Sequence, residues 1–84
     1  MKIAINKDYG GFGCGVHADY ETLVRECEDD RTNPVLIAMV ETFPEKMGDI
    51  RIVEIPDDAT DYEIDEYDGW ESVTYVVNGK IYHA

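Results

Sequence analysis

A chain of 84 residues with a net charge of −12 has room for one small α+β domain and no second core. Seven Lys and Arg stand against nineteen Asp and Glu, so counterion release from phosphates cannot drive association, and ordinary DNA or RNA binding is disfavoured. No apolar run approaches membrane-spanning length, and the opening Met1-Lys2-Ile3-Ala4-Ile5 is too short for a signal peptide, which predicts a cytoplasmic protein without a membrane partner.

Residues 2–6 alternate, with Ile3 and Ile5 on one face, and predict a strand at the N-terminus. Tyr9-Gly10-Gly11-Phe12-Gly13-Cys14-Gly15 follows, a glycine-rich loop between strand and helix. Such a loop presents bare N–H groups to an anion, or simply makes a tight turn. It is neither a P-loop, lacking Gly-Lys-Ser/Thr, nor a dinucleotide fingerprint, because Val16 stands at the third glycine position. Tyr20, Leu23, Val24 and Cys27 then form the apolar stripe of an amphipathic helix over roughly residues 17–28. Asn33-Pro34 is a helix start, Asn as the cap and Pro at the first helical position. The apolar run Val35–Val40 makes this second helix the most buried element.

Ile50-Arg51-Ile52-Val53-Glu54-Ile55 is rich in β-branched residues, stops at Pro56 and predicts a strand. Residues 49–71 hold ten acids against one cation, Arg51. Within them Asp61-Tyr62-Glu63-Ile64-Asp65 alternates strictly, as a half-exposed strand does, with Tyr62 and Ile64 inward. Val73–Val77, Asn78-Gly79 and Lys80–His83 predict a C-terminal hairpin with a type I′ turn, pairing Val76 with Ile81 and Tyr75 with Tyr82. The expected architecture is β-α-α-β-β-β-β, a mostly antiparallel sheet with two helices on one face. Small size, six tyrosines and a free sheet edge at the hairpin predict a homo-oligomer.

The chemistry is sparse. Cys14 and Cys27 form no CxxC and read as free thiols. Cys14 lies three residues from His17, but no residue in the sequence orients that histidine as a base. A calcium loop starting at Asp61 would put Glu66 where its sharp turn needs Gly, so no metal site is assigned. No catalytic residue and no cofactor are assigned, and the chain reads as a non-enzyme. The candidate ligand-binding set is Lys7, Tyr9, Gly10, Gly11, Phe12 and Gly13: glycine N–H groups and Lys7 for a phosphate, Tyr9 or Phe12 for a base.

Two blocks of the chain resemble a family of small uncharacterised proteins of bacteriophages and prophages. The first is Met1-Lys2-Ile3-Ala4-Ile5-Asn6 with Tyr9-Gly10-Gly11-Phe12-Gly13. The second is Val53-Glu54-Ile55-Pro56-Asp57-Asp58 followed by Tyr62, Ile64, Glu66-Tyr67-Asp68-Gly69 and Glu71. The resemblance implies phage origin and supplies no activity. Family members carry Leu-Ser where this chain has Cys14-Gly15, and often end in a charged, helical-looking tail where it has Val73–His83. A phage setting implies counter-defence, for which two mechanisms fit the residues. The expected one, which accounts for the glycine loop and the tyrosines, is a sponge that sequesters a nucleotide signal at the Gly10–Gly13 loop without turnover. The other is an acidic inhibitor or nucleic-acid mimic that engages a host or defence protein through Asp57, Asp58, Asp61, Asp65 and Glu66. An accessory protein with no ligand is the third reading.

Overall fold

The computed structural model describes residues 1–84. It is an α+β fold in three layers, and every strand pairing is antiparallel. The middle layer is a two-stranded ribbon of β1 (Lys2–Asn6) and β2 (Ile50–Glu54), with Ile3 opposite Val53 and Ile5 opposite Arg51. Both faces of β1 are covered, because its alternation sorts two sets of apolar side chains. Ala4, with Ile50, packs beneath the helices in a cluster with Val24, Cys27, Leu36, Ile37, Val40 and Met47. Ile3 and Ile5 point the other way and join Ile55 and Val73, flanked by Val53, Tyr62, Ile64 and Tyr75.

The helical layer is short. A single 3-10 turn at Ala18–Tyr20 leads into α1 (Glu21–Glu26), and α2 spans Pro34–Thr42. Residues 17–28 therefore form two helical pieces rather than one. His17 Nδ1 accepts from the Asp19 N–H and caps the 3-10 turn. α2 starts as its sequence dictates: Asn33 Oδ1 accepts from the N–H groups of Val35 and Leu36, with Pro34 in the first turn. Leu36, Ile37 and Val40 are its buried residues, while Val35 is 52% exposed. The most buried element is therefore β1, with residues 3–6 all buried, and not α2, because only β1 is covered on both faces. A second 3-10 turn, Pro44–Lys46, leads towards β2.

The third layer is the sheet β3 (Asp61–Tyr67), β4 (Trp70–Val77) and β5 (Lys80–His83), in that order. The C-terminal hairpin has the expected register, Tyr75 opposite Tyr82 and Val76 opposite Ile81, with Asn78 and Gly79 at φ 51° and 76°. Val73–His83 thus departs from a helical tail. β3 is longer than its alternating core, and it turns into β4 through Asp68-Gly69, also at positive φ (52° and 90°). That Asp-Gly is a second hairpin signal, hidden among the acids.

The five strands form two sheets and not one. The reason is that the second edge of β1 is already occupied. Its Ala4 N–H is accepted by the Arg31 carbonyl at 2.8 Å, and its Asn6 N–H by the Glu71 carboxylate at 2.7 Å. With those groups satisfied, the β3–β5 sheet packs face-on over Ile3 and Ile5 instead of extending the ribbon. No helix is long and apolar enough to cross a membrane.

Candidate functional site

The glycine loop docks on the Asp68-Gly69 turn. Gly69 lies so close that a Cβ there would sit 2.4 Å from the Tyr9 carbonyl oxygen and 2.5 Å from the Gly11 nitrogen. No other residue fits that approach. The Asn6 side chain sews the two segments together, its Nδ2 donating to the carbonyls of Asp8 (2.7 Å) and Gly69 (3.0 Å). Two carbonyl partners fix the amide orientation, and Asn6 Oδ1 is left buried without a partner. Tyr9 packs on Trp70 with ring centroids 5.2 Å apart. The glycine loop after β1 and the Asp68-Gly69 turn before β4 therefore meet in space.

Behind this junction lies a buried ion pair. Arg31 and Glu71 pair in a bidentate fork, Nη1 to Oε1 at 2.6 Å and Nη2 to Oε2 at 2.9 Å, with side chains 9% and 7% exposed. Glu71 Oε1 also accepts the Asn6 N–H. The Arg31 guanidinium lies 3.7 Å from the centroid of the Phe12 ring, a cation–π contact that holds the loop from beneath. In the sequence Arg31 is one residue of a polar link. Its role depends on Glu71, forty positions away.

The proposed loop residues divide. Tyr9 is 62% exposed. Gly11, at φ 87°, has open space around it. Gly10 is packed on Cys14, where a Cβ would come within 2.5 Å of Sγ, and Gly13 lies against Val24. Phe12 has one face taken by Arg31. Lys7 donates its N–H to the Asp49 carbonyl and lines none of the clefts around the loop. The loop itself leads into an isolated bridge, Val16 to Met47, before the 3-10 turn, and α1 has only six residues. The loop therefore does not run directly into a helix, although Gly13 and Glu21 at the start of α1 line one cleft.

Three clefts surround the junction. One, of about 420 Å³, is lined by Phe12, Gly13, Glu21, Val24, Arg25 and Glu28. The second, of about 340 Å³, lies between Gly11, Phe12 and Gly69 with Glu28, Arg31, Glu66 and Glu71. The third, of about 330 Å³, runs between the end of α1 and β3, past Glu28, Asp29, Tyr62, Ile64 and Glu66, with the Arg31–Glu71 pair also in its wall. Carboxylates outnumber cations in each: Glu21 and Glu28 face Arg25 in the first, and in the other two the charge of Arg31 is spent on Glu71. Asp57, Asp58, Asp61, Asp65 and Glu66 are all exposed. Asp57 takes the N-terminal ammonium at 2.6 Å, which holds its carboxyl below the usual range through hydrogen bond and charge. Cys14 is exposed and Cys27 buried, both as free thiols; burial, then Asp30 and Glu26, push the Cys27 thiol up. The chain matches no protein-family model, no curated protein and no solved structure.

Proposed function

We propose that the protein is a non-catalytic binding module that uses its carboxylate-rich surface to hold a basic protein. The observation that supports this best is the electrostatics of its clefts: each is walled by two or more carboxylates, among them Glu21, Glu28, Asp29 and Glu66. Such a field attracts Lys and Arg side chains and repels a phosphate. In the phage setting that the sequence resemblance implies, the partner is a basic host or defence protein in the cytoplasm, and the module acts as an inhibitor or nucleic-acid mimic. The test is binding of purified candidate host proteins by calorimetry over a range of salt. A basic partner whose affinity falls with added salt, and falls again in Glu28→Gln, Asp29→Asn and Glu66→Gln combined, is the expected result. A salt-insensitive complex counts against it.

A second reading keeps one observation in its favour. Gly11 has open space where a side chain would stand, in a loop rich in glycine, and so allows the close approach a phosphate-bearing nucleotide needs for sequestration without turnover. Calorimetry against cyclic and NAD-derived nucleotides separates the two. Binding tighter than about 100 micromolar, roughly −5.5 kcal/mol, selects the nucleotide sponge. Loss of that binding in Lys7→Glu would place Lys7 beside the anion.

A further inference from the structure

We infer that the open edge of β3 is where the partner docks, by adding an extended basic segment as a further strand of the β3–β4–β5 sheet. The inference rests on the acidic-module reading and specifies its geometry. β3 pairs with β4 alone, so its other edge is free. The two-residue Asp68-Gly69 turn makes Tyr67 and Trp70 the hydrogen-bonded pair that closes the hairpin. Counting back by two, the backbone groups of Glu66, Ile64 and Tyr62 point away from β4 to the open edge. The Tyr62 N–H accordingly finds its partner in the Asp61 carboxylate, at 2.9 Å. Ile64 and Glu66 make no hydrogen bond through their backbone in any turn, loop or cap.

Charge decides which strand fits that edge. On the outer face Asp61, Glu63 and Asp65 stand at every second position and are all exposed. On the inner face the edge borders the cleft walled by Glu28, Asp29 and Glu66. An added strand therefore meets carboxylates on both faces. Its alternate residues, about 7 Å apart, match the spacing of Asp61, Glu63 and Asp65. A strand with Lys or Arg at every second position gains an opposite-charge cross-strand pair at each step. A second copy of β3 would set like charges opposite one another, so the same residues discourage self-pairing at this edge. Backbone hydrogen bonds would supply affinity and the carboxylates specificity, as in other strand-addition complexes.

The probe is a synthetic peptide of about eight residues alternating Lys and Thr, long enough to span β3. Its partner in the experiment is the same peptide N-methylated at alternate residues, which keeps every charge and removes one row of N–H donors. Binding is followed by calorimetry and by amide hydrogen exchange of the protein. Strand addition predicts new exchange protection at the amides of Ile64 and Glu66, and binding of the methylated peptide weaker by about tenfold or more. Equal affinity of the two peptides, with Ile64 and Glu66 exchanging as before, overturns the strand-addition inference and leaves the acidic module standing. If neither peptide binds even at low salt, the inference and the acidic-module reading fall together.

Discussion

Arg31 and Glu71 are the residues on which the junction depends most. A bidentate pair this buried costs several kcal/mol to desolvate, and the Asn6 N–H, the Phe12 ring and the fork geometry offset that cost. Removing one partner strands the other charge. Arg31→Ala and Glu71→Ala should each destabilise the protein by about 3–5 kcal/mol in urea unfolding. The double replacement Arg31→Met with Glu71→Leu should cost less than either single change, because no unpaired charge remains. Equal or greater loss in the double variant would show that the pair contributes net stability. Gly69 makes a second demand at this scale. Gly69→Ala drives a Cβ into the backbone of Tyr9 and Gly11, so the loop must leave the turn. The expected readout is a change in fluorescence of Trp70, the only tryptophan, as Tyr9 moves off its ring. The thiols give a third. With Cys14 exposed and Cys27 buried with its pKa raised, one thiol per chain should react rapidly with a disulfide reagent in the native state and two in denaturant. Because the Cys27 thiol ionises later in the folded state than in the unfolded one, its contribution to stability holds at neutral pH. It declines only as pH rises above the unfolded thiol value.

At the scale of elements, the C-terminal hairpin and α2 obey local rules and can be tested by local changes. Gly79 has nothing within 4 Å of a would-be Cβ, so Gly79→Val meets no clash and pays only for φ 76°. The cost should be about 1–2 kcal/mol of left-handed backbone strain. Amide protection should then fall in β5 while the ribbon of β1 and β2 keeps its own. Loss of protection throughout the molecule would mean that β5 is part of one cooperative unit with the core. Asn33→Ala removes both cap hydrogen bonds of α2 and should cost about 1 kcal/mol. The helix of residues 17–28 fails for a different reason. Its apolar stripe is real, since Val24 and Cys27 reach the core and Leu23 and Tyr20 border it. His17, however, caps a turn at Asp19, and six residues of α1 suffice to deliver Val24 before the chain departs at Cys27 towards Arg31. A stripe in the sequence reports which side faces the core and says little about how long the helix must be.

The whole molecule is elongated, 41 × 26 × 19 Å, and carries its charge of −12 on a small surface. Self-repulsion of that size opposes the compact state, so the urea midpoint should rise as salt is added from low ionic strength. A midpoint independent of salt would mean that the carboxylates are spaced too widely to interact. The sheet has two open edges of opposite character. β3 is lined with carboxylates, whereas β5 has Lys80 as its one formal charge and exposes Ile81 at 67%. A homo-oligomer, if formed by edge pairing, should use β5. Light scattering at micromolar concentration should give a mass above 9.6 kDa, and Ile81→Lys should return it to that value.

What the sequence determined by itself was whatever depends on neighbours along the chain. The Asn33-Pro34 start, the Asn78-Gly79 turn and its register, and the alternation of Ile3 with Ile5 and of Tyr62 with Ile64 all follow from local backbone preference and side-chain period. The acidic character of the molecular surface was equally legible, because nineteen acids on so short a chain cannot all be buried. The Asp68-Gly69 hairpin was legible in principle, by the same rule as Asn78-Gly79, though the surrounding acids mask it. Tertiary structure alone decided that five antiparallel strands become two sheets, because that turned on Arg31 and Glu71 filling the second edge of β1. It also decided what surrounds the glycine loop. The loop's composition permits an anion site, but its docking on Gly69, the Arg31 contact with Phe12 and the carboxylates of α1 and β3 set the field around it. Those partners come from distant parts of the chain, and nothing in local preference or period encodes which of them will meet.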